Sequence, residues 1–190
     1  MNILYLGSGE FGLCTLKWLA AEHQIVGVVT SIDRLAGRNR TSTHTEVGRW
    51  AFEAGLPVFK SDNVNTPVFI EEMKALQPDV VVVIAFGQKL SEEFIGTRPT
   101  INLHASLLPR WRGASPINAA ILHGDSFSGV SVITLSQQMD GGNVLGQREV
   151  EINKFETAGE LHDRLALLGP EIIGEVLAGD FTGEEQEETE

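Results

Sequence analysis

Apolar positions along this chain follow two rhythms. Short runs rich in β-branched residues, at 3–6, 25–29 and 80–85, read as strands. Between them the apolar spacing turns helical: Phe11, Leu13, Leu16 and Leu19 mark one side of a helix over 10–22. Thr66 followed by Pro67 supplies an N-cap and a proline at the first helical position, which predicts a helix to about Gln77. Val80, Val81, Val82, Val83, Ile84 and Ala85 are continuously apolar, with Pro78-Asp79 before them and Gly87 after. A strand with no polar side is covered on both faces, as in a parallel sheet. Thr157 and Glu160 have the spacing of a capping box ahead of a helix through Leu161 and Leu165. Strands separated by helices imply right-handed βαβ units. The expected fold is therefore α/β, with a doubly wound, mostly parallel, Rossmann-like sheet.

Composition narrows this picture. The 190 residues are 42% hydrophobic and 21% charged, which suits a globular domain and not a disordered chain. A domain of this size buries about 70% of the surface its unfolded chain exposes, so a core needs no staples. Cys14 is the single cysteine, which excludes an intramolecular disulfide and a cysteine metal cluster. His23, His44, His123 and His162 lack ligand spacing, so no metal is expected. No apolar run approaches the roughly 20 residues that span a bilayer, and the amino terminus has no basic leader, so the expected location is the cytoplasm. The formal charge is −12, and five of the last seven residues are glutamate. The body stays acidic without them, so any contact with nucleic-acid phosphates must be local. The acidic tail itself is expected to be solvated and mobile.

In open parallel sheets, ligands collect beyond the carboxyl ends of the strands. Three segments fall there: residues 7–12, residues 102–113 and the loop after the 80–85 run. Gly7, Ser8, Gly9, Glu10, Phe11 and Gly12 fit G-x-G-x-x-G between a strand and a helix, the context of a dinucleotide site. Read alone, this makes the chain a nicotinamide-binding oxidoreductase. Two features oppose that. The second strand ends Val28-Val29-Thr30-Ser31 instead of in an acid for the ribose hydroxyls, and Asp33 comes late. Glu10 also places negative charge where a pyrophosphate would need the helix terminus. The alternative is a tight strand-to-helix turn that needs small residues.

Residues 101–105 alternate apolar and polar, so Asn102 and His104 share one face of a strand. An amide can donate to an oxygen gaining negative charge, and an imidazole can move a proton near neutral pH. The same pair could also be an ordinary polar face closing a strand. Arg110, Trp111 and Arg112 follow, and further on Asp140-Gly141-Gly142 offers a carboxylate before a sharp turn. Asp140 could orient and charge-balance His104. Equally, the arginines could face solvent and the Asp-Gly-Gly be only a turn.

The stretch INLHASLLPRWRGASPINAAILHGD, residues 101–125, closely resembles the 10-formyltetrahydrofolate-dependent formyltransferases. Further matching pieces are the GSGEFG opening, Asp33-Arg34-Leu35-Ala36-Gly37-Arg38, Gly55-Leu56-Pro57-Val58, Ala85-Phe86-Gly87 and Thr157-Ala158-Gly159-Glu160-Leu161, so the resemblance covers essentially the whole chain. It implies a Rossmann-like fold whose glycines bind no nucleotide. It also implies a catalytic set at Asn102, His104 and Asp140 and a folate-contacting loop at Ser106, Leu107, Leu108 and Pro109. Phe86, Gly87 and Gln88 would line the pterin pocket, largely through backbone groups. The co-substrate implied is 10-formyltetrahydrofolate, with no metal.

The PRWRG-x-x-PI wording resembles the members that formylate the α-amino group of methionyl initiator tRNA, with Arg34, Arg38 and Arg40 as the basic loop that reaches the acceptor stem. This loop departs from the family, which continues with a lysine-rich, proline-containing segment where this chain reads Asn39-Arg40-Thr41-Ser42-Thr43-His44. The implied layout is a catalytic domain over 1–183, with 184–190 an acidic tail or the start of a linker to a C-terminal β-barrel domain. Rival readings are formylation of a sugar nucleotide or another small amine, hydrolysis of the formyl donor by water, folate binding without catalysis, and the oxidoreductase.

Overall fold

The computed structural model describes residues 1–36 and 41–187. The chain divides into two compact units, Met1–Thr100 and Ile101–Glu190.

In the first unit, β1 (Asn2–Gly7) leads through a single 3-10 turn (Glu10–Gly12) into α1 (Leu13–Glu22) and β2 (Gln24–Thr30). The short strands β3 (Arg34–Ala36) and β4 (Thr41–Thr43) pair antiparallel. Then come α2 (Glu46–Glu53), β5 (Val58–Lys60), α3 (Pro67–Ala75), β6 (Val80–Ile84) and α4 (Glu92–Ile95). The strands pair in the order β5-β2-β1-β6, every pair parallel. β6 is buried at all five positions, as its unbroken apolar run requires. Ile3, Leu4, Tyr5 and Leu6 of β1 are buried beside it. The predicted caps hold: the Thr66 side chain accepts from the Phe69 N–H, with Pro67 opening α3. Two boundaries differ. The helix expected over 10–22 begins as the 3-10 turn, and the run 80–85 stops at Ile84 because Ala85 turns into the left-handed region, φ +48°.

The second unit is built differently. β7 (Thr100–His104), α5 (Pro116–Leu122), β8 (Phe127–Thr134), β9 (Val144–Glu151), α6 (Ala158–Ala166) and α7 (Gly169–Leu177) follow in order. β7, β8 and β9 pair antiparallel, with Asn102 opposite Ile133, His104 opposite Ser131, and Ser131 opposite Gln147. The alternation of strand and helix thus stops short of β8 and β9. Only residues 135–143 separate them, too few for the crossover of about a dozen or more that a parallel pair needs. Val130, Val132, Ile133, Leu161, Leu165, Ile172 and Ile173 form the buried core of this unit. The capping box at Thr157 and Glu160 is complete in both directions.

Past α7 the backbone of Glu184 pairs with Val144, donating at 3.0 Å and accepting at 2.8 Å. The acidic segment expected to be wholly solvated therefore starts as a bridged backbone beside β9.

Candidate active site

His104 is the last residue of β7, and only 7% of its surface is exposed. Asn102 lies two residues back on the same strand, half-buried, and its side-chain amide has no hydrogen-bond partner among the described residues.

Beyond His104 the chain turns sharply, and Ser131 on the neighbouring strand fixes the turn. Its hydroxyl donates to the Ser106 carbonyl at 2.6 Å and accepts from the Leu108 N–H at 3.0 Å and from the Gln147 amide at 2.8 Å. One donor and two acceptor sites are then all occupied. The same Gln147 amide also donates to the Leu108 carbonyl at 2.8 Å. The Leu108-Pro109 peptide is cis, and the Ser106 hydroxyl donates to the Arg110 carbonyl at 2.6 Å. Of the predicted folate loop, Ser106 and Leu108 are buried, while Leu107 and Pro109 are half-buried.

Trp111 adopts φ +60°, which swings its carbonyl to 2.9 Å from His104 Nε2. The other ring nitrogen, Nδ1, stands 3.5 Å from Asp140 Oδ2. Asp140 arrives from the β8–β9 connection, itself in the left-handed region at φ +49°. Gly142 fits there because a Cβ would sit 1.7 Å from the Thr134 carbonyl oxygen. Asp140 Oδ2 also accepts the Gly113 N–H at 2.9 Å. Both side chains are largely withdrawn from water, at 8% and 16% exposure, so their mutual field is weakly screened. Both ring nitrogens face oxygen acceptors, an arrangement satisfied when each carries a hydrogen. The structure thus brings His104 and Asp140 together and puts Asn102 on the strand that carries His104.

The arginines after Pro109 are not idle surface charges. Arg110 Nε and Nη2 donate to both oxygens of Asp125, at 2.9 and 2.6 Å, and the guanidinium stacks 4.2 Å from the Trp111 ring centre. The Trp111 indole N–H donates to the same carboxylate at 2.6 Å. Hydrogen bonding from Arg110 is the main cause that holds the Asp125 carboxyl below its ordinary range. Arg112 binds Gln186. Residues that sequence reasoning missed are therefore the Trp111 carbonyl, the Gly113 N–H, Asp125, Ser131, Gln147 and Gln186. Each contributes through backbone geometry or a partner distant in sequence, and no local spacing announces it.

The other predicted residues lie in the first unit. Phe86 is buried, Gly87 takes φ +80°, and the Gln88 side chain donates to the Ser61 carbonyl at 2.8 Å and accepts from the Val64 N–H at 3.2 Å. That amide is engaged inside its own unit, so its bonds shape the loop. Arg34 is in β3, while Arg38 and Arg40 fall outside the described residues.

The glycine turn is filled by its own unit. The Ser8 and Gly9 N–H groups, which would cradle a phosphate, donate to the Ala85 carbonyl at 3.3 and 3.4 Å. A Cβ at Gly12 would meet the Tyr5 hydroxyl at 2.1 Å, and that hydroxyl donates to the Gly12 carbonyl at 3.0 Å. Ser8 is bonded to Thr30 and Ser31. Among the described residues no group of three or more histidine, cysteine, aspartate or glutamate side chains could hold a metal ion, and no helix is long and apolar enough to cross a membrane.

The second unit thus presents an imidazole against a carboxylate, with an amide on the strand that carries the imidazole. The chain belongs to the formyl transferase family, whose profile matches residues 1–177. It is 42% identical over 181 residues to a methionyl-tRNA formyltransferase of Halothermothrix orenii, covering 93% of this chain and 57% of that one. A methionyl-tRNA formyltransferase of Methylococcus capsulatus is 42% identical over 198 residues, covering 100% of this chain and 64% of that one. The chain therefore spans less than two thirds of the length of these curated relatives. The crystal structure of phosphoribosylglycinamide formyltransferase from Streptococcus pneumoniae superposes with a TM-score of 0.78 at 20% identity, over 95% of this chain and 99% of that one. The fold is thus the Rossmann-like formyltransferase fold. Neither family nor fold favours the oxidoreductase reading.

Proposed function

We propose that this chain carries the chemistry of formyl transfer from 10-formyltetrahydrofolate to the α-amino group of methionyl initiator tRNA. The observation that carries the reading is His104 held between the Trp111 carbonyl and the Asp140 carboxylate, with the unpartnered Asn102 amide on the same strand.

In this reading the amine nitrogen attacks the formyl carbon and the carbonyl electron pair moves onto oxygen. The resulting oxyanion takes a hydrogen bond from the Asn102 amide and is stabilised by the positive charge of the His104 imidazolium. Asp140 balances the imidazolium and places a water. The adduct collapses by cleavage of the bond from the formyl carbon to N10, and the proton lost by the amine passes through that water to N10. Removing one such donor costs about 3–4 kcal/mol in the barrier.

Residues 106–109 are assigned to the folate, supported by the rigid turn that Ser131 and Gln147 impose. Phe86, Gly87 and Gln88 are assigned to the pterin, supported by their place in the loop just after β6, where Gly87 takes a left-handed backbone. Arg34, Arg38 and Arg40 are assigned to tRNA phosphates, together with a C-terminal β-barrel domain.

An acceptor panel tests the reading: charged initiator tRNA, a sugar-nucleotide amine, glycinamide ribonucleotide and water, each with 10-formyltetrahydrofolate, with and without a C-terminal domain added in trans. Formylation of the charged tRNA above all other acceptors is expected, and it should strengthen when the domain is added. Preference for a small amine, or formate release without an acceptor, overturns the choice of substrate.

A further inference from the structure

We propose that Gln186 is a positioning residue for the imidazole of His104: its single amide group ties together the two backbone segments that hold the ring's partners. This rests on the catalytic reading of His104 and Asp140 given above.

The Gln186 Oε1 accepts from Arg112 Nε at 2.9 Å and Nη2 at 2.7 Å. Its Nε2 donates to the carbonyls of Asp140 and Gly142, both at 2.7 Å. A guanidinium has only donors and a carbonyl only acceptors, so one amide orientation alone satisfies all four contacts. On one side, Arg112 adjoins Trp111, whose carbonyl meets His104 Nε2. On the other, the Asp140 carbonyl belongs to the residue whose carboxylate faces Nδ1.

Asp140 needs such a hold. Its φ of +49° lies in the left-handed region, which a residue with a Cβ keeps only where its surroundings hold it there. Thr134 restrains the connection from one side, accepting the Asn143 N–H on its hydroxyl and donating its own N–H to the Asn143 carbonyl, each at 2.9 Å. Gln186 restrains it from the other. Gln186 is itself placed by the two-way backbone bridge between Glu184 and Val144. If Gln186 loses its donors, the carbonyls of Asp140 and Gly142 lose their shared clamp. The turn can then relax, and the carboxylate drifts from both the imidazole and the Gly113 N–H.

Gln186→Glu and Gln186→Met separate the two halves of the clamp. The glutamate keeps an acceptor for Arg112 but has no hydrogens for the two carbonyls, and the methionine loses both functions. Formyl transfer to charged initiator tRNA is measured with both variants. Both should lower kcat about tenfold, the effect of one to two lost hydrogen bonds, while KM for 10-formyltetrahydrofolate stays within about twofold. In an Asp140→Asn background, the further loss from Gln186→Glu should shrink below about twofold, because the two act through one carboxylate. A merely structural role would cost the same in both backgrounds.

Amide hydrogen exchange gives a readout that does not need turnover. The Gly113 N–H is bonded to the Asp140 carboxylate, and its exchange should speed up about tenfold in Gln186→Glu, while Val132 in the core of β8 is unaffected. Unchanged exchange at Gly113 overturns the proposal whatever the turnover, and so does faster exchange with an unchanged kcat. His104→Ala, assayed alongside, keeps the two readings apart. If it retains full turnover the catalytic assignment fails, whereas normal catalysis and normal exchange in Gln186→Glu with an inactive His104→Ala sink only the role of Gln186.

Discussion

After β1 the chain turns at Gly7, Gly9 and Gly12. After β7 it turns through the cis Leu108-Pro109 peptide to Trp111 and Gly113. The first turn has a conspicuous spacing and no free chemistry. Its Ser8 and Gly9 N–H groups point at the Ala85 carbonyl, and the space beside Gly12 belongs to Tyr5. Burial of that phenol pushes its pKa well up, so it stays a neutral packing and hydrogen-bonding group. The second turn has no glycine fingerprint, yet it delivers a carbonyl to one side of an imidazole and an N–H to the carboxylate on the other. Glycine spacing reports where a backbone must approach something closely. What it approaches is decided by the rest of the fold, here a tyrosine and not a phosphate.

The sharpest way to break this contrast is Asn102→Ala. Loss of an oxyanion donor should lower formyl transfer about 10²–10³-fold, with the unfolding midpoint in denaturant nearly unchanged. Turnover close to that of the unmodified chain would remove Asn102 from the chemistry. Gly12→Ala should do the opposite. Its Cβ would press on the Tyr5 hydroxyl and disturb the bond to the Gly12 carbonyl, costing about 3 kcal/mol by chemical denaturation. A neutral result would show that the glycine is free for another purpose.

Ser131→Ala tests how the second turn is held. It strands the Leu108 N–H beside the Ser106 carbonyl and should cost about 2 kcal/mol. Substrate KM should rise, because residues 106–109 lose their anchor; an unchanged KM would separate those residues from the folate.

The smallest effect is expected from acid. The Asp125 carboxyl is held below its ordinary range, chiefly by hydrogen bonding from Arg110. A carboxylate with a lowered folded-state pKa stabilises the fold fully above its unfolded value of about 4, and that contribution disappears as pH falls through the folded value. The indole N–H resonance of Trp111, which donates to this carboxylate, should therefore stay constant at neutral pH and shift only below pH about 4. Asp125→Asn should abolish the shift. A shift that persists in this variant would give the titration to another group.

Much of this was legible from local pattern. The Thr66-Pro67 start and the Thr157/Glu160 box depend on neighbours within a few residues and appear where expected, and the apolar run expected over 80–85 forms a strand that stops one residue short, at Ile84. Asn102, His104 and Asp140 were singled out by residue type and by resemblance. The antiparallel β8 and β9 were not foreseen, because buried Ser128 and Ser131 break the apolar rhythm that marks an inner strand. The Ser131 hydroxyl is satisfied only by the tertiary structure, where it serves a turn at residues 106–108. The grip of Gln186 on Asp140 was equally invisible, since it joins residues 46 positions apart across a segment whose composition reads as solvated tail.

The most direct test of the central contrast sets His104→Ala beside Gly9→Ala in single-turnover transfer of labelled formyl from 10-formyltetrahydrofolate to charged initiator tRNA. A Cβ at Gly9 would make only ordinary contact with Ala85, at 3.4 Å, so that variant should fold normally. It should transfer formyl at close to the unmodified rate, while His104→Ala falls at least about 100-fold. The reverse, an inactive Gly9→Ala beside an active His104→Ala, would place the chemistry at the glycine turn and contradict this account.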